Sequence, residues 1–129
     1  ISQKMLALAK TKGFYDELLK QDIINYLKYN SAKYDLIIAG DVLPYMGSLT
    51  DLFVYLSQRS SEGAHIILSI EKNIDDDFKL QTTGRFKHNP KYLKTLAKNN
   101  QLKIIEEKDI ELRNHNDHSI DGALMIFQK

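Results

Sequence analysis

Gly40 and Asp41 close an apolar run, and there the chain first offers chemistry. Residues 36–39 (Leu-Ile-Ile-Ala) lack polar alternation, which predicts a strand buried on both faces of a parallel sheet. Open α/β sheets bind ligands at the carboxyl ends of their strands. An acidic side chain beside a residue without a Cβ can sit close to a polar ligand at that edge. Tyr45 follows the same turn, and Arg85 and His88 fall in a polar stretch that would overhang it. An arginine can grip a carboxylate or phosphate through two parallel N–H donors. Tyr45, Arg85 and His88 are therefore the candidates for the substrate side.

Two other groupings invite a metal reading. Asp75-Asp76-Asp77 offers carboxylates of the kind that hold hard cations, but acidic runs in loops ordinarily form a solvated surface. His115-Asn-Asp-His118 has no third ligand nearby in sequence. No metal site is expected. The chain has no Gly-rich phosphate loop and no Cys–His or Ser–His–Asp signature.

These residues need elements to position them. Ser2 can cap a helix running to about Lys12, with Met5, Leu8 and Ala9 on one face and Gly13 as the stop. Residues 14–29 read two ways. Leu18, Leu19, Ile23, Tyr26 and Leu27 give a helical period throughout, which slightly favours one helix; a strand over residues 17–20, an acidic turn at Asp22 and then a helix fits as well. Asn30-Ser31 marks a loop before the strand at residues 34–39. Ser48-Leu-Thr-Asp51 has the form of a capping box, and Leu49, Leu52, Phe53 and Leu56 follow as an amphipathic stripe. Residues 60–63 end that helix, and residues 65–70 read as a second buried strand, giving a βαβ unit with a right-handed crossover.

Residues 71–89 form a long polar connection, a length more often functional or mobile than inert. Asn89-Pro90 starts a helix that buries Leu93, Leu96 and Ala97 and ends at Asn99-Asn100, since Asn tolerates the left-handed conformation. Residues 102–107, continuing through 112, and residues 120–127 are the last two strands. The polar turn at residues 114–119 makes them an antiparallel hairpin.

With 129 residues the chain is read as a single domain. A hydrophobic content of 43% and a charged content of 27% are those of a globular protein. The net charge of +1 gives no electrostatic case for nucleic acid or an acidic membrane surface. No apolar run approaches the roughly 18 residues of a membrane span. The absence of cysteine excludes disulfides and thiolate metal sites and fits the cytoplasm. The chain starts Ile-Ser-Gln-Lys without an initiator Met, which predicts a piece of something longer.

Taken together, the residues resemble the later part of a class I S-adenosylmethionine-dependent methyltransferase. They look closest to the bacterial methyltransferases often attached to tetratricopeptide repeats. Residues 1–10 (Ile-Ser-Gln-Lys-Met-Leu-Ala-Leu-Ala-Lys) are similar to the segment after that fold's second strand. Tyr15-Asp16-Glu17-Leu18 with Asp22 resembles its third strand and the acid at that strand's tip. Residues 34–47 look like the fourth strand and its motif, and Ser60-Ser61-Glu62-Gly63-Ala64 stands where a Pro-Gly-Gly turn is common. Thr83-Gly84-Arg85-Phe86-Lys87-His88, with Tyr92-Leu93, is the stretch most particular to the subgroup.

The resemblance implies a Rossmann-like α/β sheet in the order 3-2-1-4-5-7-6, mostly parallel with a C-terminal antiparallel hairpin. The first strand and its Gly-rich loop would belong before Ile1. It further implies that S-adenosylmethionine is the cofactor and that Ser2, Met5, Asp22, Ile23, Gly40 and Asp41 line its pocket. Asp22 would accept from the adenine amino group, Ile23 would offer its N–H to a ring nitrogen, and Met5 would pack on adenine or ribose. The acceptor would be a small molecule or a protein. With the central strand missing, the edge of residues 34–39 is expected to be unpaired, unfavourable by about 1–3 kcal/mol per unmet buried group. Either a longer protein or another chain or segment would cap it, and this chain alone would bind the cofactor weakly. A non-catalytic binding domain of the same fold is the alternative. A nucleotide-binding dehydrogenase half is a third reading, against which the closing hairpin counts.

Overall fold

The computed structural model describes residues 2–115 and 118–129, with residues 113–115, 118 and 119 as backbone alone. The His115–His118 grouping therefore lies outside the described side chains. The chain divides into two compact units, Ile1–Ser31 and Ala32–Lys129.

In the first unit, helix α1 (Gln3–Lys12) is capped as its sequence predicts. The Met5 N–H donates to Ser2 Oγ at 3.3 Å, and Gly13 closes the other end with φ of 69°. No residue of α1 is buried, and Met5 and Leu8 are exposed. Residues 14–21 contain neither a helix nor a strand. Helix α2 (Ile23–Tyr29) begins where Asp22 Oδ1 accepts from the Asn25 N–H at 2.9 Å. The single long helix favoured by periodicity is thus replaced by a short one set by its cap. A strand over residues 17–20 needs a ladder partner, and none is present among the described residues.

The second unit is built on a four-stranded sheet in the order β1-β2-β6-β5. Strand β1 (Tyr34–Ala39) pairs in parallel with β2 (Ser60–Glu71), and helix α3 (Thr50–Arg59) makes the crossover. Strand β6 (His118–Gln128) lies antiparallel between β2 and β5 (Lys103–His115). This is the arrangement 4-5-7-6 of the order given above. The β1–β2 ladder is the parallel part of the sheet, and the other two ladders are antiparallel.

One face of the sheet is apolar. Ile66, Leu68 and Ile70 of β2 stand opposite Phe127, Met125 and Ala123 of β6, and all six are buried. Phe53 of α3 meets Phe127 edge-on with centroids 5.6 Å apart, so α3 covers this face. Gly122 is required by the same sheet, since a Cβ there would approach the Ile70 carbonyl oxygen to 2.7 Å.

Several expectations need correction. Strand β1 stands at the end of the sheet order, and Leu36 and Ile38 are 53% and 64% exposed, so the run is not buried on both faces. Residues 60–63 do not end α3 as a separate turn but open β2, with an irregular register before Leu36 pairs His65. Ser48 is not the N-cap of α3, although its Oγ accepts from the Thr50 N–H at 3.4 Å. The N-cap is Leu49, whose N–H donates instead to Tyr92 Oη at 3.0 Å. Helix α4 (Pro90–Asn99) starts at Asn89 as expected, but its left-handed closing residue is Gln101 (φ 59°) and not Asn100. The polar connection also carries structure: β3 (Phe78–Leu80) and β4 (Phe86–His88) form a small antiparallel sheet. No helix among the described residues is long and apolar enough to cross a membrane.

Candidate functional site at the strand tips

The site grows from the carboxyl ends of β1 and β2. After Ala39 the chain turns at Gly40, and Asp41 adopts the left-handed conformation with φ of 55°. A Cβ at Gly40 would meet nothing within 4 Å, so the constrained residue of the pair is Asp41. Asp tolerates this region better than most residues because its short side chain can bond locally. The turn is pinned to the neighbouring strand by the Asp41 N–H, which donates to Ser69 Oγ at 2.9 Å. A 3-10 turn (Leu43–Tyr45) follows, with Leu43 and Pro44 buried and Tyr45 left 67% exposed.

Arg85 arrives from the start of β4 and joins these parts. Its Nε donates to Glu71 Oε1 at 2.6 Å and its Nη1 to Tyr45 Oη at 2.8 Å, while Nη2 pairs with Asp41 Oδ1. The guanidinium carbon also lies 4.8 Å from the Tyr45 ring centre, a cation–π contact. Burial opposes the charge on Arg85, but Glu71 and Asp41 outweigh it and hold the group above its usual pKa. Glu71 is buried, whereas the Asp41 side chain is 58% exposed. Two carboxylates against one guanidinium leave one net negative charge, and its accessible part is Asp41.

Asp41, Tyr45 and Arg85 thus come together. Arg85 is tied into the protein rather than left overhanging the turn: one N–H of each of its three nitrogens is engaged within the protein, leaving two of its five donors. His88 does not face solvent either: it is fully buried, with rings of Phe78 and Phe86 about it. Its Nε2 lies 3.0 Å from the Gly47 carbonyl oxygen, which can only accept, so this nitrogen carries the proton. Nδ1 is buried with no partner among the described residues. Burial lowers the His88 pKa below 6.5, and the backbone of Gly47 and Met46 and the charge of Glu71 offset only part of that.

Glu71 and Ser69 are the members the sequence reading passed over. The strand-end rule that singled out Asp41 applies equally to Glu71, the last residue of β2. In the first unit, Ser2 and Asp22 each hold a helix start through a side-chain oxygen. Met5 is 71% exposed, and Ile23 lines a shallow cavity of about 390 Å³ with Glu17, Leu19, Gln21 and Tyr26.

No family model matches the chain, and no curated protein matches it in sequence. Solved structures do match. An S-adenosylmethionine-dependent methyltransferase from Methanosarcina mazei superposes with a TM-score of 0.73 at 15% identity, covering 100% of this chain and 79% of its own. The 1,6-didemethyltoxoflavin-N1-methyltransferase of Burkholderia thailandensis, solved with 1,6-didemethyltoxoflavin and S-adenosylhomocysteine, gives 0.75 at 9% identity, with 100% and 57% covered. The N-methyltransferase NodS of Bradyrhizobium japonicum, solved with S-adenosylhomocysteine, gives 0.66 at 18%, with 95% and 59% covered. The chain spans less than two thirds of the latter two. Its fold is the α/β fold of S-adenosylmethionine-dependent methyltransferases, with their closing antiparallel strand pair.

Proposed function

We propose that this chain takes part in S-adenosylmethionine-dependent methyl transfer to a small molecule or a protein, as the later part of a cytoplasmic methyltransferase of the repeat-associated bacterial kind. The observation that carries the reading is Asp41, which presents an accessible carboxylate at the tip of a parallel strand in this fold. The cofactor supplies a positively charged sulfonium whose methyl is the electrophile.

The residues present suit such a group. A net negative cluster at the strand tips favours a cation there through simple Coulomb attraction. Gly40 leaves open space beside it. Asp22 spends one oxygen on Asn25, and a carboxylate has lone pairs to spare for an adenine amino group. Ile23 and Met5 offer apolar surface, and Ser2 a hydroxyl, for the nucleoside end. Attack on a sulfonium needs alignment and exclusion of water more than a proton relay. The chain's part is to orient: Arg85 fixes Asp41 and Tyr45 in one geometry, and the Tyr45 ring borders the approach.

Calorimetric titration of the full-length protein with S-adenosylmethionine, which carries the sulfonium charge, tests this. Asp41→Ala and Asp22→Ala should each weaken binding by about tenfold, the loss of one charge-assisted contact. Unchanged affinity in Asp41→Ala would remove the strand tip from the site. Unchanged affinity in Asp22→Ala would remove the adenine assignment.

A further inference from the structure

A second feature lies beside the strand tips. An open cleft of about 950 Å³ runs between the end of β2, the β3–β4 hairpin and the start of β6. Arg85 and Glu71 form part of its wall, so it adjoins the Asp41 cluster. The hairpin alternates in character. Phe78, Phe86 and His88 share the apolar face, where their rings meet, and the Phe86 ring closes on Gly47. Lys79 and Lys87 take the other face and both line the cleft.

The register places Lys79 directly opposite Lys87. Like charges at that position weaken a strand pair. Other charges in the cleft are accounted for. Lys72 is bonded to Asp109 at 2.8 Å and also feels Asp121, and Arg85 is bonded to Glu71. Among the described residues Lys79 and Lys87 form no ion pair. These two lysines of one register pair therefore stand at one wall without an ion pair of their own among the described residues, in a cleft that Glu71 and Asp121 also line. The Thr82 and Thr83 hydroxyls line the same cleft at the hairpin turn. A turn held by Gln81 N–H to the Arg85 carbonyl oxygen (2.8 Å), with Gly84 at φ of 76°, fixes that wall.

We propose that this cleft binds an anionic group, a carboxylate or a phosphate, between Lys79 and Lys87, with Thr82 and Thr83 donating to it. That the anion belongs to the methyl acceptor rests on the methyltransferase reading; the binding itself does not. The bland alternative is a solvated lysine face, but such a face gains nothing from setting two cations opposite each other. An acceptor held here by its acidic end would project its remainder toward the Arg85 wall and the Asp41 turn beyond it.

The test is a titration of isotope-labelled full-length protein, followed by amide NMR at constant ionic strength. Inorganic pyrophosphate serves as the phosphate probe and tricarballylate as the carboxylate probe. Saturable shifts at residues 79, 82, 83 and 87 are expected, and the tighter probe identifies the class. Lys79→Gln/Lys87→Gln should weaken binding by about tenfold or more, with the rest of the spectrum unchanged. Lys98→Gln, a change at an exposed lysine of α4, should have no effect. The inference falls if neither probe saturates at millimolar concentration, if the double variant binds as well, or if Lys98→Gln weakens binding equally. S-adenosylhomocysteine titrated separately keeps the two readings apart: pyrophosphate binding without it leaves the anion site standing and removes the methyltransferase reading.

Discussion

Arg85 and the two lysines of the hairpin sit within a few residues of one another yet meet opposite electrostatic surroundings. Arg85 is buried and faces two carboxylates and a tyrosine hydroxyl, whereas Lys79 and Lys87 are paired in register across the strands and form no ion pair among the described residues. A buried guanidinium must be paired, because its desolvation is otherwise uncompensated. A lysine on an open wall has no such requirement and stays available to an incoming anion. The difference separates a charge that organises the fold from charges that are free to act.

The largest way to break this contrast is Arg85→Ala. It takes the guanidinium away from buried Glu71, and stability should fall by about 3–5 kcal/mol in urea denaturation. Adding Glu71→Gln to that variant should recover part of the loss, since the two sites share one interaction. A loss below about 1 kcal/mol in the single variant would show that the cluster is not structural. Next in size is Gly122→Ala. Its Cβ would press on the Ile70 carbonyl and the Leu112 side chain, and about 1–3 kcal/mol should be lost, read by the same unfolding curves.

The third effect is one of pH. His88 holds its proton less well folded than unfolded, so the unfolded chain takes up more protons near pH 6.5. Its contribution is complete above that value and is lost as the pH falls from 6.5 toward the lowered folded pKa. Thermal melts between about pH 7.5 and 5.5 should show a declining Tm, with a shallower slope in His88→Gln. Equal slopes would place the titration elsewhere. The smallest expected effect has the opposite sign: Lys79→Glu converts the facing cations to an ion pair and should add about 0.2–1 kcal/mol.

What the sequence revealed depended on the length of each signal. The parallel pair was legible because residues 36–39 and 65–70 are continuous apolar runs on either side of an amphipathic helix. Asp41 followed from its place at a strand end. The β3–β4 hairpin was not legible, since Phe-Lys-Leu and Phe-Lys-His are too short to show a period of two. With the hairpin hidden, neither the enclosure of His88 nor the partners of Arg85 could be read. At residues 14–29 the helical period was present, but Asp22 capping on Asn25 set a later start. The exposure of Leu36 and Ile38 depends on what neighbours β1, which a one-dimensional pattern does not carry.

The turn at Asp41 has one more consequence. A non-glycine residue in the left-handed region is held there against a cost of about 1 kcal/mol. Glycine would relax that backbone, and in the same stroke it would erase the acid. Because that acid also pairs with buried Arg85, the relief in the turn is offset by a lost ion pair, and Asp41→Gly should be inert without being hardier.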